Sequence, residues 1–405
     1  MNRIIKEKLG GIREDLAKFS RQISDFNLTR ENIARFSDII MLKMRELGLE
    51  KTVKDKTGNL IGLIRGKRSK DALVIISHMD IPGKEQTANT PITGSNIIKF
   101  KTGIISSLYC AGLLKRALTP LESDLIVCCV PRTETSDYSV RYLFESFFKN
   151  KIKNIKGVVL CEPTNFDLNL GHKGRMEYEI VVKGKLDSAF LGNKGINMLG
   201  AMFPLVHELE NVSKTLPSDY ALGSSSLRIK DMRYAGYEPF QNVNEFSVIV
   251  DRVFIPEETE QYILNKAKTI AKNIYKGQEN VSVSTCLAKE KIKTDAGLEI
   301  VSEKEFKPWL MDANNLFVAD SLEVLKECGF AVNCSYWKNI VTEGSYTCGE
   351  LRIPTIGFGA GKEEDINPKA ESMNAEEIVK AIYGLSAIVE RNIGMPAFGW
   401  SADEI

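Results

Sequence analysis

Near the N-terminus apolar residues recur at three- and four-residue steps. Ile33, Phe36, Ile40, Met44 and Leu47 fall on one helical face, and Gly48 supplies the stop. Beyond them the pattern changes to short unbroken apolar runs: Leu60 to Ile64, Ala72 to Ile76, Leu125 to Val130, Val158 to Cys161 and Pro354 to Phe358. Extended runs that do not alternate are buried on both faces, which predicts a largely parallel sheet covered by helices. Gly103 to Leu118 and Val140 to Phe148 are two of the covering helices. Asn374-Ala-Glu-Glu377 reads as a capping box opening a last one, with Glu377 three residues past the cap.

From Arg175 the period shortens to two. Met176-Glu-Tyr-Glu-Ile-Val-Val-Lys alternates as a half-solvated strand does. A helical run from Gly195 to Val212 follows, then strands at Ser225 to Met232 and Phe246 to Phe254. A helix from Pro256 to Lys276 and a strand from Val281 to Leu287 complete the stretch. The order β-α-β-β-α-β is that of a ferredoxin-like domain. The fold class expected is α/β, a doubly wound, mostly parallel sheet, with an inserted ferredoxin-like α+β lid. Its parts are 1–174 and 292–405 for the α/β domain and 175–291 for the insert.

Composition narrows the function classes. The 405 residues are 43% hydrophobic and 26% charged, ordinary for a globular protein, and favour at least two cores. With 54 basic and 53 acidic side chains the formal charge is +1, so neither a nucleic-acid nor a membrane partner is implied. The Lys-rich stretch Lys149 to Lys156 is broken by Asn and Ile and reads as solvated surface. None of the eight cysteines forms a C-x-x-C pair, and several lie in apolar runs, which suits buried reduced thiols. No apolar run is long enough to span a bilayer, and the N-terminus has no apolar signal core, so a cytoplasmic location is expected.

Candidate chemistry gathers at strand ends. His78 and Asp80 follow the run Ala72–Ile76, Glu134 follows Leu125–Val130, and Glu162 follows Val158–Cys161. In an open α/β sheet the carboxyl ends of the strands face one crevice, where residues distant in sequence converge. A histidine with carboxylates suits zinc or a similar divalent ion. In H-x-D the acid can accept the second ring N–H and fix the tautomer.

Many short motifs occur in a telling order: Asp55-Lys-Thr-Gly58-Asn59, His78-Met-Asp80, Cys161-Glu-Pro-Thr164, Gly171-His-Lys-Gly-Arg175, Gly184-Lys185, Gly195-Ile-Asn197, Asp251-Arg252 with Pro256-Glu-Glu-Thr259, and Ile353-Pro-Thr-Ile-Gly-Phe-Gly359. With them the chain resembles the zinc aminoacylase/carboxypeptidase superfamily over almost its whole length. That superfamily includes acetylornithine deacetylase, succinyl-diaminopimelate desuccinylase and carboxypeptidase G, and the likeness is greatest to a group of hydrolases linked to selenium metabolism. The resemblance implies a two-metal amide hydrolase with a lid that also dimerises. One metal is held by the H-x-D histidine and the Glu of E-P-T, the other by the second Glu of a Glu-Glu pair and a late histidine. A carboxylate bridges them, and the first Glu of the pair activates water.

Position by position the match then breaks. His78, Asp80, Glu134 and Glu162 are present, but Lys99 occupies the bridging-acid position and Thr133 that of the general base. Asn367 replaces the late histidine. Ser188, with Asp187 one register away, replaces the lid histidine that steadies the oxyanion. An ammonium about 4 Å from a divalent ion repels it by roughly 8 kcal/mol at an effective dielectric of about 20. Asn is a poor zinc ligand, and threonine is no general base near neutral pH.

The expectation is therefore a degenerate centre in which Lys99, with Arg132 nearby in sequence, balances the acids, no cofactor is held, and the chain acts as a binding or regulatory subunit. One alternative is an active deacylase or peptidase with one zinc in an altered site; another is a sensor of a small anion such as a carboxylate. The expected partners are a second copy through the lid, an active paralogue, or a small molecule. His172 is open to a substrate contact or a turn role, His207 reads as a helix-face residue, and Trp309, Trp337 and Trp400 as packing.

Overall fold

The computed structural model describes residues 7–24, 26, 32–80, 94–132, 135–185, 198–235, 243–278, 281–363 and 375–395. Helices α1 (Arg13–Ser24) and α2 (Ile33–Glu46) come first. The second ends as its sequence requires: Gly48 takes φ +85°, and the N–H groups of Gly48 and Leu49 close on the carbonyls of Arg45 and Met44. Strands β1 (Lys51–Lys54), β2 (Leu60–Ile64) and β3 (Arg68–Asp80) lead to the long helix α3 (Gly94–Arg116). Next are β4 (Ser123–Arg132), α4 (Tyr138–Tyr142) running into a π-helical turn at Leu143–Phe148, β5 (Asn154–Leu160) and β6 (Leu168–His172).

The middle of the chain holds β7 (Gly174–Lys185), α5 (Met198–Ser213), the short β8 (Ser218–Asp219) and β9 (Gly223–Ser224), β10 (Ser226–Ala235), β11 (Val243–Phe254), α6 (Glu260–Ile274) and β12 (Val281–Leu287). After β13 (Lys289–Lys293), β14 (Glu299–Glu303), β15 (Glu305–Phe306) and β16 (Trp309–Leu310) come α7 (Leu316–Glu327), β17 (Cys334–Trp337), a second π-helical turn at Ser345–Glu350, β18 (Thr355–Gly357) and α8 (Ala375–Ile393).

The chain divides into two compact units, one of residues 1–172, 293–300 and 309–405, the other of residues 173–292 and 301–308. In the first, the sheet order is β1-β2-β4-β3-β5-β18-β6-β16, with β17 also on β6. β4, β3, β5 and β18 are mutually parallel and form its centre. Alternate residues of β3 feed different cores: Leu73 and Ile75 join the side packed by α3 and α8, while Ala72, Val74 and Ile76 join the side covered by the helix after β4. That double burial is why these runs are apolar throughout. β2 departs from the expectation, being antiparallel to both β1 and β4.

The second unit holds a five-stranded antiparallel sheet, four of its strands in the order β10-β11-β7-β12, the ferredoxin-like arrangement, with the short β15 on β7. Met176, Tyr178, Ile180 and Val182 pack under α5 and α6 with Leu205, Leu209, Ile263 and Ala267. Residues 301–308, expected with the α/β part, lie in this unit because β15 pairs with β7. All eight cysteines are free; Cys110, Cys128, Cys129, Cys161 and Cys348 are buried and only Cys286 is exposed. Among the described residues no helix is long and apolar enough to cross a membrane.

A buried ion pair anchors the start of α6. Arg252 Nη2 lies 2.6 Å from Glu258 Oε1, and Ser225 Oγ donates to the other carboxylate oxygen at 2.9 Å. Removing Glu258 strands a guanidinium in the core. Glu258→Ala is expected to cost about 3–5 kcal/mol in urea unfolding, whereas Glu299→Ala, exposed on β14, should change stability by less than about 0.5 kcal/mol.

Candidate functional site

The site begins with a register. β3 and β5 run parallel with Ile76 level with Leu160. Two residues further on, His78 and Glu162 therefore reach the carboxyl edge of the sheet at the same height. Nε2 of His78 lies 2.8 Å from Oε1 of Glu162, and both side chains are buried. At that distance the imidazole and the carboxylate are in ion-pair contact.

The turn that carries Glu162 is held from several sides. A Cβ on Gly103 of α3 would stand 2.2 Å from the Cys161 carbonyl oxygen, so only glycine lets the helix backbone come this close. A Cβ on Gly359, just past β18, would stand 2.4 Å from the Glu162 carbonyl oxygen. Gly359 N–H donates to Thr164 Oγ1 at 3.1 Å, and Trp337 Nε1–H donates to the Pro163 carbonyl at 2.8 Å. Asn165 and Phe166 adopt φ +54° and +67°, rare outside glycine, and their N–H groups meet the carbonyls of Gly361 and Gly359. The segment that leaves β18 thus runs beside Glu162.

Of the residues singled out in the sequence, His78 and Glu162 are brought together. Asp80 ends β3 and Lys99 lies within α3, but their side chains, like that of Arg132, lie outside the described residues. Thr133, Glu134, Asp187, Ser188, Asn367 and Trp400 are outside them altogether. On the assignment expected from the sequence, Lys99 and Asn367 would stand at two of five ligand positions, and since neither is a zinc ligand of the usual kind that assignment does not fit a metal pair.

His172 has the turn role. It is buried against Trp309 and Trp337, and its Nε2 accepts the Thr342 N–H at 2.9 Å. His207 is exposed on α5, and both tryptophans are packing residues. Lys101, two residues beyond Lys99, is completely buried and donates to the Phe26 carbonyl at 3.1 Å. Sequence reasoning also missed Asp137, at the start of α4, with Arg141 four residues on. Arg141 Nε donates to Asp137 Oδ1 at 2.7 Å. The i,i+4 spacing of opposite charges was the available signal. Burial, then Glu343 and Glu350, push the Asp137 carboxyl up to about 6 against the opposing pull of Arg141.

Comparison with known proteins follows from this geometry. A family model described as peptidase family M20/M25/M40 matches residues 75–391. YgeY of Escherichia coli, an uncharacterised protein, is 24% identical over 401 residues, 95% of this chain and 96% of its own. The uncharacterised metallohydrolase MJ1497 of Methanocaldococcus jannaschii is 21% identical over 293 residues, 72% of this chain and 75% of its own. Among solved structures, Bacillus subtilis YXEP, a dinuclear metal-binding peptidase, superposes with a TM-score of 0.65 at 14% identity, covering 94% of this chain and 98% of that one. An aminohydrolase from methicillin-resistant Staphylococcus aureus reaches 0.69 at 14% identity, over 96% and 99% of the two chains. At such identities the structures share the fold.

The close approach at Gly103 is testable. Gly103→Ala is expected to lose about 1–3 kcal/mol in chemical unfolding through overpacking against the Cys161 carbonyl. Gly10→Ala, where a Cβ meets nothing within 4 Å, should lose none.

Proposed function

Because the chain belongs to peptidase family M20/M25/M40, we propose that it is a metallohydrolase homologue whose centre no longer hydrolyses and now serves binding or regulation. The observation that carries this reading is the place of Lys99 in the helix. It stands four residues before Gly103 in α3, hence on the helical stripe that meets Cys161, one turn nearer the helix start. A cation on that stripe is suited to balance Asp80, Glu134 and Glu162 in the role that metal ions fill in a dinuclear peptidase. Buried carboxylates need such a partner. Thr133 and Asn367 agree with it, since neither replaces the base or the ligand it displaces.

The intact His78–Glu162 pair favours a second reading, an amide hydrolase holding one zinc ion. Zinc content of the purified protein separates the two. Well under one ion per chain, with no hydrolysis of N-acyl amino acids, is the expected outcome; about two ions per chain, the number in a two-metal site, overturns the proposal. About one ion, with a hydrolysis that His78→Ala abolishes, establishes the second reading. Restoring Lys99→Asp, Thr133→Glu and Asn367→His together is expected to bring back zinc binding.

We also propose a homodimer through the second unit. Its strand β10 is bonded to a neighbour on one side only among the described strands, and Met232, Tyr234 and Phe203 are exposed large apolar side chains. Light scattering should give a dimer, and Met232→Lys should yield monomers with unchanged helix content.

A further inference from the structure

Two π-helical turns, Leu143–Phe148 and Ser345–Glu350, are joined by a short list of side chains in the first unit. Such turns are rare and frequently occur at functional sites. Arg141 bonds Asp137 behind it and Glu350 across from it, its Nη1 standing 3.1 Å from the Glu350 carboxylate. Its guanidinium lies 4.7 Å from the centre of the Tyr346 ring, and the Tyr346 hydroxyl donates to Glu145 at 2.9 Å. Phe144 meets the same ring edge-on at 6.1 Å.

Each side of this link leads to a different part of the centre. Asp137 directly follows the segment 133–136, which carries Thr133 and Glu134. Two residues after Asp137, Ser139 Oγ donates to the Pro131 carbonyl, which joins the chain on either side of that segment. On the other side the turn begins at Thr342, whose N–H holds His172, and at Gly344, where a Cβ would stand 2.3 Å from the Trp309 ring. The link is made at a disadvantage, since Asp137 is buried with one oxygen, Oδ2, that has no hydrogen-bond partner among the described residues.

We propose that Arg141 is a positioning residue that locks the turn behind segment 133–136 to the turn that begins at Thr342. This does not depend on whether the centre hydrolyses. The charged groups facing Asp137 are Arg141 on its own helix and Glu343 and Glu350 on the opposite turn. Among the described residues Arg141 is the cation beside Asp137, and its removal takes away the charge that offsets Glu343 and Glu350 at Asp137.

Proton uptake by Asp137 then gives the test its signature. The carboxyl is raised from 3.8 to about 6 in the folded protein. A raised acid favours the closed state most at low pH, and its contribution is lost as pH rises through about 6. Without Arg141 the carboxyl is raised further, so the dependence extends to higher pH.

Hydrogen exchange, read as protection factors, is the measurement. In Arg141→Met at about pH 7.5, amides of residues 138–141 and 345–350 should lose protection by about tenfold or more, while those of β3 and β5 stay as in the parent. Lowering the pH to about 5.5 should restore most of it, and in Asp137→Asn/Arg141→Met it should not. Parent-like protection overturns the proposal, as does a loss equal at both pH values, which is the mark of packing alone. If Arg141→Met does not fold, Glu350→Gln, on a half-exposed side chain, cuts the same link. An increase of about threefold in exchange over 345–350 is then expected, and no increase overturns it.

Discussion

The level register of β3 and β5 is the constraint on which the rest depends. Had the two strands slipped by one residue, His78 would face the opposite side of the sheet from Glu162. The register is enforced from outside the ladder as well. Glycines at 103 and 359 bring a helix and a strand end against consecutive carbonyls, of Cys161 and Glu162. The turn bearing the carboxylate is therefore gripped by backbone on two sides, and its side chain meets the histidine without freedom to search.

The two units handle buried charge differently. In the second, every buried acid named above has its cation: Glu258 has Arg252, and Glu177 sits between Lys230 and Lys304, which hold its carboxyl below the usual range against the effect of burial. Such pairs specify a fold. In the first, Asp137 has Arg141, while Glu343 and Glu350 on the opposite turn act against that pairing.

Much of this was legible in the sequence, for a physical reason. Parallel strands covered on both faces must be apolar at every position, so β3, β4 and β5 announced themselves, and alternation marked β7. β2 misled because a five-residue apolar run carries no sign of its direction. β15 was unreadable: two residues have no period, and their pairing with β7 is set by chain reversal. At the site, H-x-D and E-P-T identified the pair that meets. His172 looked available in sequence because its burial comes from Trp309 and Trp337, more than a hundred residues away. Arg141 was passed over because one i,i+4 pair on a helix is common and usually solvated.

The distribution of sulfur has a practical side. Five cysteines are sealed in the first unit, and burial pushes Cys110 and Cys129 up to about 12, leaving them almost without thiolate at neutral pH. Cys286, exposed on β12, is the first sulfur a maleimide reagent should find. A fluorophore or spin label attached there would report from the ferredoxin-like unit, once the half-buried Cys328 and Cys334 of the first unit are replaced.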